Sequence, residues 1–231
     1  MADLLSVPDA ARDLRVHRSR IHALLRSGGL DGRKVGGRWL VDSASTQRWS
    51  RFRLHDGRPF SPMRSWGYLF VLSGEPVPWL DPATRSRFRK RVRSDALRLV
   101  LPKLRDRGRA FFFRAAAPAL RALHGVPELV RSGVSAAHEA GADLVVRDAF
   151  EAYVPLERLR DVAYRLALEV ADPASANVIL RAPTLVAPLR QRVVAPRGVV
   201  AADLIESTDE RTSRAGEILA EALRADRAAS G

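Results

Sequence analysis

Basic and hydrogen-bonding side chains are concentrated in two short segments near the start of the chain. The first segment holds Arg18, Ser19, Arg20, His22 and Arg26, and the second holds Arg33, Lys34 and Arg38. A guanidinium can donate two hydrogen bonds to the major-groove edge of guanine, and any cation can bind a phosphate oxygen. We expect Arg18 and Arg20 to contact bases and Arg26 to contact phosphate. Ser19 and His22 have the chemistry to bond either group.

The residues before and within the first segment predict two helices that position these side chains. Ser6 is a good N-cap with Asp9 three residues later, and apolar residues then recur at helical spacing over 7–14. A second helix is expected over Arg18–Ser27, where Ile21, Leu24 and Leu25 form the inner face and two glycines end the helix. Two helices joined by about three residues make a helix-turn-helix, although a generic helical hairpin has the same pattern.

The second basic segment predicts a β-wing followed by a third helix. Residues 30–35 and 38–41 are short, partly alternating runs on either side of Gly36-Gly37, a dipeptide suited to a tight hairpin turn. On this hairpin Arg33, Lys34 and Arg38 would meet backbone phosphate or the minor groove. Asp42 or Ser43 caps the next helix, whose inward residues are Thr46, Trp49 and Phe52. The order helix, turn, helix, wing, helix is that of a winged helix, with Trp39 and Trp49 in its core.

Residues 5–11, 16–21, 28–30 and 35–41, read together over about 4–52, resemble the excisionase/MerR-type DNA-binding domain. The resemblance implies that the second helix enters the major groove and that the wing lies along the flanking backbone or minor groove. The family usually has Gly in the turn and Ser before the recognition helix, where this chain has Arg15 and His17. Since left-handed geometry costs a non-glycine residue about 1–2 kcal/mol, a differently shaped turn is expected.

The charge distribution extends the basic character beyond this first domain. The chain has 231 residues and a formal charge of +13, and residues 1–110 carry +14 while residues 111–231 carry −1. A charge confined to one half implies a polyanionic partner for that half. Asp81 opens a basic helix, in which the expected secondary phosphate contacts are Arg85, Arg89, Lys90 and Arg93. An ordinary exposed helix is the alternative interpretation of that segment.

Glycine, prolines and charges over 53–64 indicate a boundary, so we expect three regions: a winged helix-turn-helix (1–55), a basic helical linker region (56–110) and an α/β domain (111–231). A buried helix is expected around 66–72. Further helices are predicted over 95–107, 156–169 and 212–224, and strands over 109–114, 148–154 and 177–181. The three aromatics at 111–113 suggest a strand buried on both faces. The fold class is α+β, mainly helical.

A second, weaker resemblance covers about residues 95–226. Residues 129–138, 151–154 and 199–207, followed by Asp209 and Arg211, are similar to the AbiEi-type antitoxins of type IV toxin–antitoxin systems. The resemblance implies a repressor of its own operon, paired with a nucleotidyltransferase-like toxin that it counters without necessarily binding it. The first domain is not the usual AbiEi N-terminal wing.

Several classes of function are not expected. The chain has no cysteine, which excludes disulfides, thiolate zinc sites and iron–sulfur clusters, and no apolar run approaches the roughly 20 residues that span a bilayer. It has no P-loop, restriction-type Asp/Glu-x-Lys, Gly-x-Ser-x-Gly, His-Glu-x-x-His or Gly-x-Gly-x-x-Gly motif. The nearest constellation, His138-Glu139 with Asp143, reads as a solvated helix end. We therefore expect no enzyme activity, cofactor, metal or membrane association.

The sequence thus predicts a cytoplasmic, nucleoid-associated regulator that binds specific sites in double-stranded DNA. The expected site is the operator of its own operon. An autorepressing antitoxin is the favoured interpretation. An excisionase-like DNA-architectural factor and a ligand-sensing transcriptional regulator are the alternatives. No long heptad seam is visible, which argues against a coiled-coil dimer of the kind found in MerR regulators.

Overall fold

Ten α-helices and two β-sheets form in the part of the chain that the computed structural model describes, namely residues 4–14, 16–51, 59–185 and 187–229. This composition confirms the predicted α+β class. The chain divides into two units. The first comprises Met1–Asp56 with Asp172–Ala174, and the second comprises Gly57–Ala171 with Ser175–Gly231.

The first unit has three helices and three short strands. In chain order they are β1 (Leu4–Ser6), α1 (Val7–Asp13), α2 (Arg18–Ser27), β2 (Gly32–Val35), β3 (Arg38–Asp42) and α3 (Ser43–Arg51). The strands pair antiparallel in the order β1-β3-β2. The predicted helices and wing are confirmed, whereas β1 has no counterpart in the sequence-based expectation.

Local signals explain why these residues form these elements. The Ser6 hydroxyl accepts a hydrogen bond from the Asp9 amide at 3.2 Å and so caps α1. The core contains Ala10, Leu14, Ile21 and Val41, all nearly inaccessible to solvent. The expectation that Thr46, Trp49 and Phe52 of the third helix face the core is confirmed in part. Thr46 is buried, Trp39 and Trp49 are partly buried against this core, and Phe52 lies outside the described residues.

The second unit contains seven helices and five strands. The helices are α4 (Pro62–Ser73), α5 (Pro82–Ser94), α6 (Leu97–Leu104), α7 (Ala117–Leu123), α8 (Leu156–Arg165), α9 (Arg197–Ile205) and α10 (Glu210–Ala229). The strands are β4 (Gly108–Arg114), β5 (Val130–Arg131), β6 (Phe150–Tyr153), β7 (Glu169–Val170) and β8 (Val178–Pro183). Residues 56–110, expected to be a linker region, thus contribute α4, α5 and α6 to this unit.

The sheet of the second unit has the strand order β5-β6-β8-β4-β7. β6 and β8 run parallel and the other pairs are antiparallel. Phe150 and Ala152 of β6 and Leu180 of β8 lie in the core of one face, together with Leu159 and Val162 of α8. Helix α9 is buried from Gly198 to Ile205, with only its first residue, Arg197, exposed, so the unit has apolar packing of its own.

Strand β4 corrects one expectation in detail. Of its three aromatics only Phe113 is buried, while Phe111 and Phe112 are half-buried, so burial on both faces was wrong. Alternation along a strand places Phe112 on the face opposite the other two. The Arg109 guanidinium lies 4.9 Å from the centroid of the Phe111 ring, so a partly solvated cation covers that ring.

Three predicted helices have different ends in the structure. The helix expected over 95–107 is α6, which contains Pro102 and continues as a 3-10 turn over Arg105–Arg107. The helix expected to reach 169 ends at Arg165, because the chain turns at Ala167, where φ is +48°, and enters β7. The last helix, α10, is longer than the 212–224 expected.

Candidate nucleic-acid interface

Helix α2 separates an apolar face from a basic one. Ile21, Leu24 and Leu25 are buried in the core of the first unit. On the other side Arg18, Ser19, Arg20 and Arg26 are exposed, and His22 is half-buried. The i, i+3, i+4 spacing of the apolar residues fixes which face turns to solvent. Four of the five side chains predicted to contact DNA on this helix are thus freely accessible.

His17 begins α2 in place of the usual small N-cap residue. Its Nδ1 accepts a hydrogen bond from the Ser19 amide at 3.4 Å and lies 2.9 Å from the Ser19 hydroxyl oxygen. The imidazole therefore does what a serine hydroxyl does at other helix starts. The Ser19 hydroxyl is held beside its own helix end in this arrangement. Arg15, for which a differently shaped turn was expected, lies outside the described residues.

A glycine ends α2 and directs the chain into the wing. Gly28 has φ of +70°, and its amide donates to the Leu24 and Leu25 carbonyl oxygens, as expected for a left-handed C-cap. A Cβ at Gly32 would lie 2.5 Å from the Leu40 carbonyl oxygen of β3 and 2.6 Å from Leu25 Cδ2 of α2, so a larger residue would disturb the β2–β3 pairing beside the helix. Glycines at both positions therefore place the wing directly beside the helix.

The wing itself is an exposed basic hairpin. Gly36 and Gly37 have φ of +56° and +78°, the conformation of a type I′ turn, and nothing lies within 4 Å of a Cβ at either site. Glycine is needed here for its backbone conformation and not for space. Arg33, Lys34 and Arg38 are exposed. The Lys34 ammonium lies 5.5 Å from the centroid of the Trp39 ring, which leaves it at the surface.

Buried hydrogen bonds attach the base of the wing to α3. The Asp42 carboxylate accepts from the Ser45 amide at 2.6 Å, which makes Asp42 the α3 cap, as one of the two predicted candidates. The Ser45 hydroxyl accepts from the Asp31 amide at 2.8 Å, and the Asp42 amide donates to the Asp31 carbonyl at 2.9 Å. The Thr46 hydroxyl donates to the Asp42 carbonyl oxygen. These bonds fix the two strand ends against the third helix.

The cations of this surface are not neutralised by neighbouring acids. Within residues 4–14, 16–51, 59–185 and 187–229, no carboxylate lies within ion-pair distance of Arg18, Arg20, Arg26, Arg33, Lys34 or Arg38. Asp9 is occupied elsewhere: a hydrogen bond from Ser6 and the nearby Arg12 guanidinium hold its pKa below the usual range. Asp42 is occupied by capping α3. The surface therefore has an uncompensated positive potential, suited to an anionic partner.

Residues 4–49 match the family model described as a helix-turn-helix domain. The first unit is a helix-turn-helix domain. The match covers about a fifth of the chain. In DNA-binding domains of this kind the second helix commonly lies in the major groove, and the second helix of this domain is α2. No curated protein and no solved structure matches the chain.

The second set of predicted phosphate contacts lies in the other unit, on α5. Arg89, Lys90 and Arg93 are exposed and Arg85 is half-buried. The Arg93 Nε donates to the carbonyl oxygen of Arg227 at 3.0 Å, so this side chain also has a role within the fold. These residues therefore form a separate basic face that belongs to the second unit and not to the helix-turn-helix domain.

Sequence reasoning missed a buried charge network in the second unit. Arg107 Nη2 donates to Asp203 Oδ1 at 2.9 Å and to Glu206 Oε2 at 2.6 Å. Arg181 donates to Glu151 Oε1 at 2.6 Å and to Glu206 at 2.9 Å. Two hydroxyls complete it, because Ser132 donates to Asp203 Oδ2 at 2.5 Å and Tyr153 donates to Asp203 Oδ1 at 3.0 Å. We call these seven residues the buried charge network.

Burial and charge act in opposite directions on the acids of this network. Burial raises the pKa of Glu151 to about 7, and the charges of Asp203 and Glu206 add to the rise while Arg181 opposes it. Burial would raise the pKa of Glu206 as well, but the guanidinium groups of Arg107 and Arg181 bring it below its usual range. The network therefore holds two carboxylates and two guanidinium groups in the interior, with Glu206 at its partly exposed edge, and its hydrogen bonds join β6, β8 and α9.

The constellation around His138 does not form a site. Glu139 pairs with Arg131, and His138 and Asp143 are exposed. In the described ranges, no group of three or more His, Asp or Glu side chains is arranged to hold a metal ion. None of the helices described is long and apolar enough to cross a membrane.

Proposed function

We propose that this protein is a transcriptional regulator that binds specific sites in double-stranded DNA and acts by binding, without catalysis. The observation that carries the proposal is the exposed basic face of α2 beside a basic wing, without carboxylate partners among the described residues. Because a regulator of this kind works on chromosomal DNA, we place it in the cytoplasm on the nucleoid, with no cofactor and no metal.

The side chains divide by the chemistry that each can do. Arg18 and Arg20 lie in the first turn of α2, where side chains of a recognition helix reach base edges. Arg26, at the other end of the helix, is assigned to phosphate. Arg33, Lys34 and Arg38 of the wing are assigned to the flanking backbone or the minor groove. His22, being half-buried, has the least freedom to reach DNA.

Binding to the protein's own promoter fragment, titrated with salt, tests this proposal. Each phosphate contact contributes about 0.9 to the negative slope of log K against log salt. Arg20→Ala should cost about 1–3 kcal/mol on the preferred site and little on random duplex. Arg26→Ala is the matched control, because loss of a phosphate contact weakens binding to both duplexes equally. Equal loss on both duplexes for Arg20→Ala rejects that residue as a base reader, and absence of any preferred fragment rejects the regulator.

We further propose that the regulator is the autorepressing antitoxin of a type IV, AbiE-like system. The similarity of residues 129–138, 151–154 and 199–207 to AbiEi-type antitoxins supports this more specific role. The partner is then a nucleotidyltransferase-like toxin encoded by the neighbouring gene. Cells that express the toxin gene should stop growing, and co-expression of this protein should restore their growth. Arg20→Ala should still restore growth while losing repression of the promoter, since the two activities need not share a surface.

Two alternatives make different predictions in the same experiments. A neighbouring integrase gene and DNA bending by the bound protein favour an excisionase-like factor. A ligand-sensing regulator is supported by the size of the second unit, which has its own apolar core. A melting-temperature shift with one member of a metabolite panel favours the sensor, and a flat response counts against it.

A further inference from the structure

Two described helices carry three or more Lys or Arg side chains and no Asp or Glu: α2 and α5. The cations of α5 are Arg85, Arg87, Arg89, Lys90, Arg91 and Arg93. In α8 and α10, by contrast, arginines and carboxylates are mixed, and Arg165 pairs with Asp161 on its own helix at 3.1 Å. By charge, α5 therefore resembles the DNA-reading helix more than its neighbours in the second unit.

One face of α5 is fixed by packing, which determines what the other face presents. Thr84, Phe88 and Val92 are buried. The Phe88 ring centroid lies 5.4 Å from that of Tyr68 and 5.3 Å from that of Phe60. The Asp81 carboxylate accepts from the Thr84 amide at 2.8 Å and caps the helix. The orientation of α5 is thus set from one side, and its polar side faces solvent.

Contacts within the unit engage only some of the α5 cations. Arg91 pairs with Asp95 at 2.6 Å, Arg87 donates to the Thr84 hydroxyl, and Arg93 donates to a backbone carbonyl. No carboxylate of the described residues lies within 4.0 Å of a charged nitrogen of Arg89 or Lys90. Both side chains are exposed. Neither side chain has an ion-pair partner in the described part of the chain, so both are available to an external anion.

We infer that the exposed face of α5, formed by Arg85, Arg89, Lys90 and Arg93, binds the phosphates of duplex DNA next to the site that α2 reads. The inference rests on the proposed function. Residues four apart on a helix lie about 6 Å apart along its axis, so the row from Arg85 to Arg93 spans about 12 Å. Duplex DNA presents about one phosphate per 1.7 Å of its axis. A row of this length meets several phosphates without reading sequence.

The covalent connection favours DNA over other polyanions as the ligand of this face. Ten residues separate Arg51, the last of α3, from Pro62, the first of α4. Ten residues span at most about 36 Å, close to the roughly 34 Å of one turn of duplex. When the helix-turn-helix domain is bound, the start of α4 cannot leave the vicinity of that DNA. The effective concentration of DNA at α5 is then high, so that weak phosphate contacts add to the affinity.

The test uses the full chain with Arg89→Ala and Lys90→Ala combined. Removal of two phosphate contacts should reduce the salt slope by about 1.8 on the preferred site and on random duplex alike. The ratio of the two affinities should stay constant. Arg158→Ala with Arg160→Ala on α8 is the matched control, since it removes the same charge from two exposed positions of the same unit. The control should leave the slope unchanged.

The outcomes separate this inference from the proposed function. A preferred site together with an α5 variant whose slope equals that of the wild type overturns the inference alone. A reduced slope without any preferred fragment supports the α5 face and overturns the sequence-specific regulator. A slope change seen with single-stranded RNA and not with duplex DNA overturns the inference in favour of another ligand, and absence of any duplex binding overturns both proposals.

Discussion

The helix-turn-helix domain and the second unit use arginine in opposite environments. On α2 and the wing, the guanidinium groups of Arg18, Arg20 and Arg38 are exposed, with no carboxylate partner among the described residues. In the second unit, Arg107 and Arg181 lie inside the buried charge network. An arginine placed where only solvent meets it is available to a ligand, whereas one surrounded by buried carboxylates is committed to the fold. Composition counts both kinds equally.

The same difference has an energetic side. Removing one partner from a buried ion pair costs about 3–5 kcal/mol because the remaining charge is left without compensation. Removing an exposed and unpaired charge usually changes stability by less than about 0.5 kcal/mol. Substitutions in the buried charge network should therefore affect the free energy of unfolding, and substitutions on α2 or the wing should affect DNA affinity.

The largest expected effect is that of Arg107→Ala. The substitution removes one of the two guanidinium groups that pair with both Asp203 and Glu206, leaving only Arg181, and Asp203 is 1% exposed. We expect the free energy of unfolding of the second unit to fall by about 3–5 kcal/mol, measured by urea denaturation. Arg158→Ala, on the surface of α8, is the control and should stay within about 0.5 kcal/mol of the wild type. Similar changes in the free energy of unfolding for Arg107→Ala and Arg158→Ala would show that buried and exposed arginines do not differ in this way.

The buried charge network also predicts a dependence of stability on pH. The folded state keeps Glu151 protonated up to a pKa of about 7, whereas in the unfolded chain this carboxyl ionises near 4.5. The stability that this group contributes is present below pH 4.5 and is lost as the pH rises to 7. The Glu151→Gln variant has no carboxyl to titrate at this position. As the pH rises from 4.5 to 7, the free energy of unfolding of the variant should therefore increase relative to that of the wild type, by up to about 3 kcal/mol.

Stability curves for both proteins between pH 4 and 8 test this prediction. The groups that face Glu151 are Arg181, Asp203 and Glu206, and they are unchanged in the variant. The difference between the two curves therefore isolates position 151. Curves that run parallel across the interval would show that Glu151 is ionised in the folded protein throughout.

The two units also differ in how much their sequences predict. In the helix-turn-helix domain the signals are local: the Ser6 cap, the Gly28 helix end, the Gly36-Gly37 turn and helical spacing each act within a few residues. The basic residues on α2 and the wing could therefore be placed on a solvent face in advance. Strand β1 was missed because its three residues are too few to show alternation, and its partner β3 begins more than thirty residues later.

In the second unit the decisive contacts are distant in sequence. Arg107 bonds Asp203, 96 residues away, and Ser132 bonds the same carboxylate from 71 residues away. No local pattern around either residue indicates that its partner will be buried beside it. The sequence pattern predicted β4, β6 and β8 but not β5 or β7, and the order β5-β6-β8-β4-β7 depends on how the strands pair. The Arg residues of 111–231 therefore looked like ordinary members of a neutral region.

The smallest expected effect tests one of the local signals of the helix-turn-helix domain, the N-cap at the start of α2. His17→Ala removes the side chain that caps the helix on which Arg18 and Arg20 lie. Loss of an N-cap costs about 0.5–2 kcal/mol, and the 3.4 Å distance from the Ser19 amide places this case at the low end. Hydrogen exchange of the α2 amides measures it. His17→Ser should keep the protection, because a hydroxyl can accept the same amide. If alanine protects as well as serine, the imidazole contributes nothing as a cap, and the helix start depends on packing of Ile21 alone.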